Sequence, residues 1–443
     1  MQFARYICYN TGTMNRREFI GASALFAAAG VAPKSAAADE ARSGGELVAS
    51  APMLQVPGET TMGVVWAVGM MAKGEVLVSE RPDMSDAAVF RCGGFGVNGF
   101  DDKVLSARLT GLRPATRYWY RTKTTRLSYE RGGYSRALGE TVESKVYSFA
   151  TPGAAAESRF AVLNDTHMKW TSFGMVAKKL KELAPPVAIW NGDALNSTET
   201  VDQVVKALLA PEVADADYAA GMPVLFNNGN HEYRGLYMRD PSVVILPRLA
   251  SERRPADEAL VRNFAVRQGD VALIGLDTGE DRPDAHPWHA GLSNCDAYRH
   301  AQTAWLEDAL ERPEIKSAPF VVASCHIPLL PRESERANQM WWCEAASKEW
   351  GPVFTRHKVQ AVIVGHMHEY RCDAADSTRS WAQIEGGGFE CGKRVIGGKP
   401  VYNEGYFPTV IEGRVERGRL VVTVYDVWRG RVAGVHEFSP RSV

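Results

Sequence analysis

The chain has 443 residues, is 45% hydrophobic, and carries 51 Lys and Arg against 52 Asp and Glu. That length is enough for two domains with a core each, and the composition excludes a largely disordered chain. The balanced charge, without a basic stripe or an acidic tail, excludes bulk electrostatic binding of nucleic acid.

The first element in chain order is a leader. "MNRREFIGASALFAAAGVAPKSAAADEA" has a basic start, an apolar run over Phe19–Ala32 and a small-residue stretch ending at Ala38. This is the layout of an export signal, so residues 1–38 are expected to be removed and the protein to be periplasmic or extracellular. The apolar run falls short of the roughly 20 residues of a spanning helix, so no transmembrane anchor is expected. Arg16-Arg17 followed by Glu18-Phe19-Ile20 resembles the twin-arginine type of signal, which makes Met14 a plausible start. Of seven cysteines, the six beyond the leader form no C-x-x-C pair and do not read as a zinc cluster. An oxidising compartment permits one or two disulfides; Cys325, inside "FVVASCHIP", reads as a buried free thiol.

Residues 45–153 read as short β-strands: "TTMGVVWAVG", "GEVLVSE", "KVLSARLTGL", "TRYWYRTKT" and "KVYSFATPG". "LTGLRPATRYWYR" looks like a tyrosine corner, with Tyr118 reaching back over the turn at Pro114, and Trp66 is the expected core tryptophan. Together these features resemble a fibronectin type III sandwich, read as a packing or docking module. From residue 159 to 443 the pattern changes. "RFAVLND", "PPVAIWNGD", "MPVLFNN", "DVALIGLD", "APFVVASCH" and "VQAVIVGHMH" are buried strands, and helices such as "SFGMVAKKLKEL", "ETVDQVVKALLA" and "YRHAQTAWLEDALER" lie between several of them. Such alternation predicts an α/β domain with central sheets flanked by helices, closed by a hairpin in "TVIEGRVERGRLVVTVYDV".

Five strand ends of this second region carry potential metal ligands: Asp165-Thr166-His167, Gly192-Asp193, Gly229-Asn230-His231, His326, and Gly365-His366-Met367-His368. Open α/β sheets bind ligands beyond the carboxyl ends of their strands. The i, i+2 spacing of Asp165/His167 and of His366/His368 puts both side chains on one side of an extended chain. Oxygen and imidazole donors without thiolate suit Fe, Mn or Zn. Each feature alone has a plain alternative: Asp165 could cap a helix, His326 could be a structural histidine, and Gly-Asp is a common turn. The ordered conjunction points to a two-metal site.

The set "DTH", "GD", "GNHE", "CHIP" and "GHMH" resembles the calcineurin-like metallophosphoesterases over nearly all of residues 159–430. Carried over residue by residue, the resemblance implies one metal on Asp165, His167 and His368 and a second on Asn230, His326 and His366. Asp193 would bridge them, and His231 would face the substrate phosphate as the catalytic residue. Behind a fibronectin-like domain, the nearest kin would be purple acid phosphatases. That subfamily has glycine at the position of His167 and tyrosine at that of Asn196, so here a phenolate ligand looks exchanged for an imidazole.

The resemblance implies an exported phosphoesterase that hydrolyses phosphomonoesters by metal-hydroxide attack on phosphorus, with small-molecule phosphate esters as partners. Phosphodiester or nucleotide hydrolysis on the same site is the alternative, and a non-catalytic binding protein on this scaffold a further one. Arg234 is either a phosphate clamp or a solvated loop arginine. Glu232 or another carboxylate is expected to orient His231, and Gly229 to let the backbone turn sharply into the site. "EGGGF", from Glu385 to Phe389, reads as a tight turn. Trp288, His289, Trp341 and Trp342, in two long inserts, could stack on an aromatic leaving group or nucleobase, or pack against the first domain.

Overall fold

The structure is a computed structural model, and it describes residues 46–94, 97–130, 135–236, 262–331 and 341–442. The expected leader over residues 1–38 lies outside the described residues, as do the side chains of Trp341 and Trp342.

Two sheets form the larger part of the molecule. The first contains the parallel strands Arg159–Leu163, Ala188–Asn191 and Val224–Asn227, flanked on one side by the antiparallel strands Thr409–Glu416, Arg419–Asp426 and Arg431–Phe438. The second runs Phe264–Gln268, Val271–Gly275, Phe320–Ser324, Ala361–Val364, Ala382–Glu385 and Arg371–Asp373. Its four middle strands are parallel. They read as unbroken apolar runs because both faces are covered. One face meets the first sheet through Phe160, Val162, Leu225, Leu273, Val322 and Ile363. The other packs under helices Cys295–Glu311 and Trp341–Arg356 through Leu306, Leu310, Trp350 and Phe354.

Helices Trp170–Leu183 and Val201–Leu208 cover the outer face of the first sheet, burying Phe173, Val176, Leu180, Val204 and Leu208. The shorter helix starts at a capping box: Thr200 accepts from the backbone N–H of Gln203, whose side chain accepts from that of Thr200. This is an α/β core of two facing sheets with helices outside, and the β-rich N-terminal region is attached to it.

That attachment was not visible in the sequence. Strand Met53–Gly58 pairs in parallel with Val224–Asn227, and Thr61–Ala67 and Val104–Leu109 follow, so the first sheet has nine strands. Met53, Val65, Ala67 and Val104 join the core beneath the two helices. The opposite faces of these strands meet the sheet built on Ala72–Ser79 and Arg117–Glu130, around Trp66, Leu105, Tyr120 and Phe149. Tyr118 Oη accepts from the Arg113 backbone N–H at 2.8 Å, and Tyr120 Oη donates to the Ala220 carbonyl at 2.8 Å. Cys92, Cys295, Cys325, Cys372 and Cys391 are free thiols, and Cys325 is buried. Among the described residues no helix is long and apolar enough to cross a membrane.

Candidate metal centre

The ends of parallel strands from both sheets meet at one place. Asp165, Asp193 and Asn230 follow strands of the first sheet, while His326, His366 and His368 follow strands of the second. Below them Asn227 Nδ2 donates to Asn191 Oδ1 and to Ser324 Oγ, both at 2.8 Å, and Asn191 Nδ2 donates to the Cys325 carbonyl at 2.9 Å. These bonds fix the two sheet ends relative to each other, in a layer where an unmade hydrogen bond would be costly. Several site residues hold left-handed backbone: φ is 51° at Asp165, 47° at His167, 52° at Asp193, 70° at His366 and 59° at His368. Each such residue costs on the order of 1 kcal/mol or more, so the surrounding bonds must hold them there.

The structure brings six of the seven expected ligand residues together in two groups that share Asp193, with the seventh, Asn230, beside His366. Asp165, His167, Asp193 and His368 form one, and Asp193, His326 and His366 the other. In the first, His368 Nε2 is 3.2 Å from Asp165 Oδ1, His167 Nε2 is 3.4 Å from Asp193 Oδ2, and the two Nε2 atoms are 3.1 Å apart. In the second, His326 Nε2 lies 3.2 Å from Asp193 Oδ2, and Asn230 Oδ1 lies 3.0 Å from His366 Nδ1.

The support of each ring decides which nitrogen faces inward. His368 Nδ1 donates to Glu390 at 2.8 Å, His326 Nδ1 to the Asn191 carbonyl at 2.8 Å, and His167 Nδ1 to Asn196 Oδ1 at 3.1 Å. In each case Nε2 is left to bind a proton or a metal, as is usual for ligating histidines. His326 Nε2 is buried without a hydrogen-bond partner. Burial disfavours a charged His326, yet Asp193 and Asp165 overcome it and pull the imidazole up to about 10. For His368, burial is likewise overcome by Asp165 and Glu390, which raise it to about 9. Burial works to raise both Asp165 and Asp193, but the neighbouring imidazoles hold them well below the usual carboxylate range. What draws a proton onto these nitrogens would equally draw a cation. Donor atoms 3.1–3.4 Å apart suit a first-row ion with bonds of about 2.1 Å. The donor set fits a binuclear transition-metal centre, with Fe, Mn and Zn all compatible.

His231 stands beside this cluster. Its Nδ1 donates to the Asn196 carbonyl at 2.8 Å, and its Nε2 is 3.9 Å from Asp193 Oδ2 and 3.0 Å from Arg234 Nη1. Burial, helped by the charge of Arg234, lowers its pKa below the ordinary 6.5 against the opposing pull of Asp193. Arg234 is anchored rather than solvated: Nη2 donates to Glu280 at 2.9 Å and to Asp281 at 3.1 Å.

Three smaller expectations are corrected. Glu232 does not orient His231; its buried carboxylate accepts from the backbone N–H groups of Gly229, Asp193, Ala194 and Leu195, at 2.7 to 3.2 Å. It thereby clamps the Gly-Asp loop to the Gly-Asn-His loop, and the Asn196 carbonyl takes the orienting role. Gly229 has no left-handed φ; it is glycine because a Cβ there would overlap Asp193 Oδ1. The Gly386–Gly388 stretch lies against the centre, with Asn164 Nδ2 donating to the Gly387 carbonyl at 3.1 Å, and a Cβ on Gly388 would stand 2.6 Å from His368 Cγ. The glycines serve close approach, not a tight turn.

Residues 158–370 match the family model described as calcineurin-like phosphoesterase. The chain carries a calcineurin-like phosphoesterase domain. Among solved structures, the purple acid phosphatase PPD1 from yellow lupin (Lupinus luteus) seeds is similar over 88% of this chain and 74% of its own, at 13% identity and a TM-score of 0.61. The likeness is one of fold, and its span takes in the N-terminal β-rich region as well as the phosphoesterase domain. GAP50, "the anchor in the inner membrane complex of Plasmodium", matches 64% of this chain and 89% of its own at 15% identity. Its TM-score is 0.42, too low to bear on the fold.

Sequence reasoning missed the residues that support the phosphoesterase centre: Glu390, Asn191, Asn196 in its bonding role, and the acids Glu280 and Asp281. None belongs to a ligand motif, and each lies between 22 and 135 residues in sequence from the side chain it serves. Asn196 had a signal: it occupies the position of the tyrosine in the related motif, and in space it bonds His167, the other departure from that motif.

Proposed function

We infer that this protein is an exported binuclear-metal phosphoesterase acting on phosphomonoesters, with its N-terminal β-rich region as a fibronectin type III-like scaffold. The observation that carries this reading is the convergence of four imidazoles and two carboxylates in one cluster, with the His167, His326 and His368 rings each fixed through Nδ1 by an outer partner. Asp165, His167 and His368 would hold one ion and Asn230, His326 and His366 the other, with Asp193 between them. Bound there, the ions would act as Lewis acids on the phosphoryl oxygens and acidify a water.

The chain's own residues account for the rest. Hydrolysis joins the water oxygen to phosphorus and breaks the ester P–O bond, so the leaving oxygen needs a proton. His231 Nε2, 3.9 Å from Asp193 Oδ2, accepts from Arg234 Nη1 in the free protein. Its ring is held by Asn196, and substrate negative charge would favour the imidazolium that then gives its Nε2 proton to the leaving oxygen. Arg234 Nη1 lies beside it, supplying positive charge for a monoester dianion, with Glu280 and Asp281 fixing the guanidinium.

Rates on p-nitrophenyl phosphate and bis-p-nitrophenyl phosphate test the reading. The monoester should react faster; a faster diester overturns the monoester assignment, and inertness toward both overturns the phosphoesterase reading. Export is tested by fractionating cells that make R16K/R17K, which should retain the protein in the cytoplasm.

A further inference from the structure

We propose that Trp288 is the specificity residue of this site and selects phosphomonoesters whose alcohol carries a planar aromatic ring, as a nucleoside 5′-phosphate does. The proposal rests on the phosphomonoesterase reading above and deepens it.

Trp288 sits in a single 3₁₀ turn, Pro287–His289, in which the His286 side chain accepts from the Trp288 backbone N–H. Its side of the site is the one that holds Arg234. Its indole is 68% exposed, although large aromatics are usually covered. The exposed ring is nonetheless held. The guanidinium of Arg282 lies over it, 4.0 Å from the centroid, and that of Arg234 lies 6.0 Å away. Asp281 ties the two arginines together, at 2.6 Å to Arg282 and 3.1 Å to Arg234. Cation–π contact of this kind orients an indole without covering it.

The location gives the platform its use. Arg234 Nη1 is 3.0 Å from His231 Nε2, and the His231 ring is 4.7 Å from that of His167 in the metal cluster. The indole is therefore one arginine removed from the histidine that faces the scissile bond, within the reach of a nucleoside esterified there. An aromatic ring on the leaving group would stack on a face already oriented, so little ordering is lost on binding. A plain sugar phosphate would make the same phosphate contacts and gain nothing from the indole. The buried His289 beside it, 6% exposed, does not share this role.

The test compares adenosine 5′-monophosphate with ribose 5-phosphate, which share the same primary leaving alcohol and differ in the base. The metal-loaded full chain should favour the nucleotide in kcat/KM by about tenfold or more, a typical return for one stacked base. In Trp288→Ala that ratio should fall toward one, mainly through KM for the nucleotide, while Trp288→Phe keeps part of it. Equal rates on the two esters in the parent protein, or a ratio unchanged by Trp288→Ala, would overturn the proposal. Hydrolysis of neither ester by a protein that cleaves p-nitrophenyl phosphate, or equal hydrolysis of both, sinks the aromatic selection alone, whereas inertness toward p-nitrophenyl phosphate as well would overturn the phosphomonoesterase reading with it.

Discussion

His231 and Arg234 share one side of the centre, and the protonation of His231 sets a pH dependence. Burial lowers the His231 pKa below 6.5 in the free protein, and its Nε2 must carry a proton to give one to the leaving oxygen. The protonated fraction falls as pH rises through that lowered pKa, so kcat/KM should decline on the alkaline side from a point below 6.5. His231→Ala should remove that limb and lower kcat by about 10²- to 10⁴-fold, with metal content intact. If it strips a metal instead, its role is that of a ligand. Glu390 acts one bond further out, through His368 Nδ1. Glu390→Ala should weaken metal retention about 10- to 100-fold in chelator competition, and Glu390→Gln should restore part of it. An unchanged affinity would mean that packing alone orients His368.

At the scale of elements, each ligand stands at the end of a strand, and the loops are shaped by what they must approach. Gly229→Ala would drive a methyl group into Asp193, which both groups of ligands share, and should cost both ions. Gly388→Ala would press on the His368 ring and should cost chiefly the ion that His368 holds. Metal analysis of the folded variants, with circular dichroism as the check on folding, decides this; full occupancy in Gly229→Ala would contradict it.

The same elements show what could be read in the sequence. A strand end is an apolar run followed by a polar break, and such runs as "VAIW" before Asn191-Gly192-Asp193 are visible without a structure. Outer partners follow no local pattern. Glu390 reaches His368 across 22 residues, and Asn196 reaches His167 across 29, so only the folded chain brings them together. Glu232 sat inside a recognised motif and was still misread, because its neighbour in sequence, His231, is not its neighbour in space.

At the scale of the molecule, the β-rich region and the phosphoesterase core are joined by a strand pair. Met53–Gly58 escaped the sequence reading because Pro57 and Gly58 break its apolar pattern, yet it lies along the edge of Val224–Asn227, the strand that leads to Asn230. Removing residues 46–153 would expose that edge and uncover the core around Trp190 and Val224. The truncated chain should aggregate, as read by light scattering; a monodisperse, active fragment would contradict the structural role given to this region. The chemistry of the molecule depends on the paired ligand groups that this architecture assembles. Metal analysis of the purified full chain, before and after chelation, tests it most directly. It should find about two transition-metal ions per chain, whose removal abolishes phosphomonoester hydrolysis and whose return restores it; one ion or none in an active protein would contradict the two-metal centre.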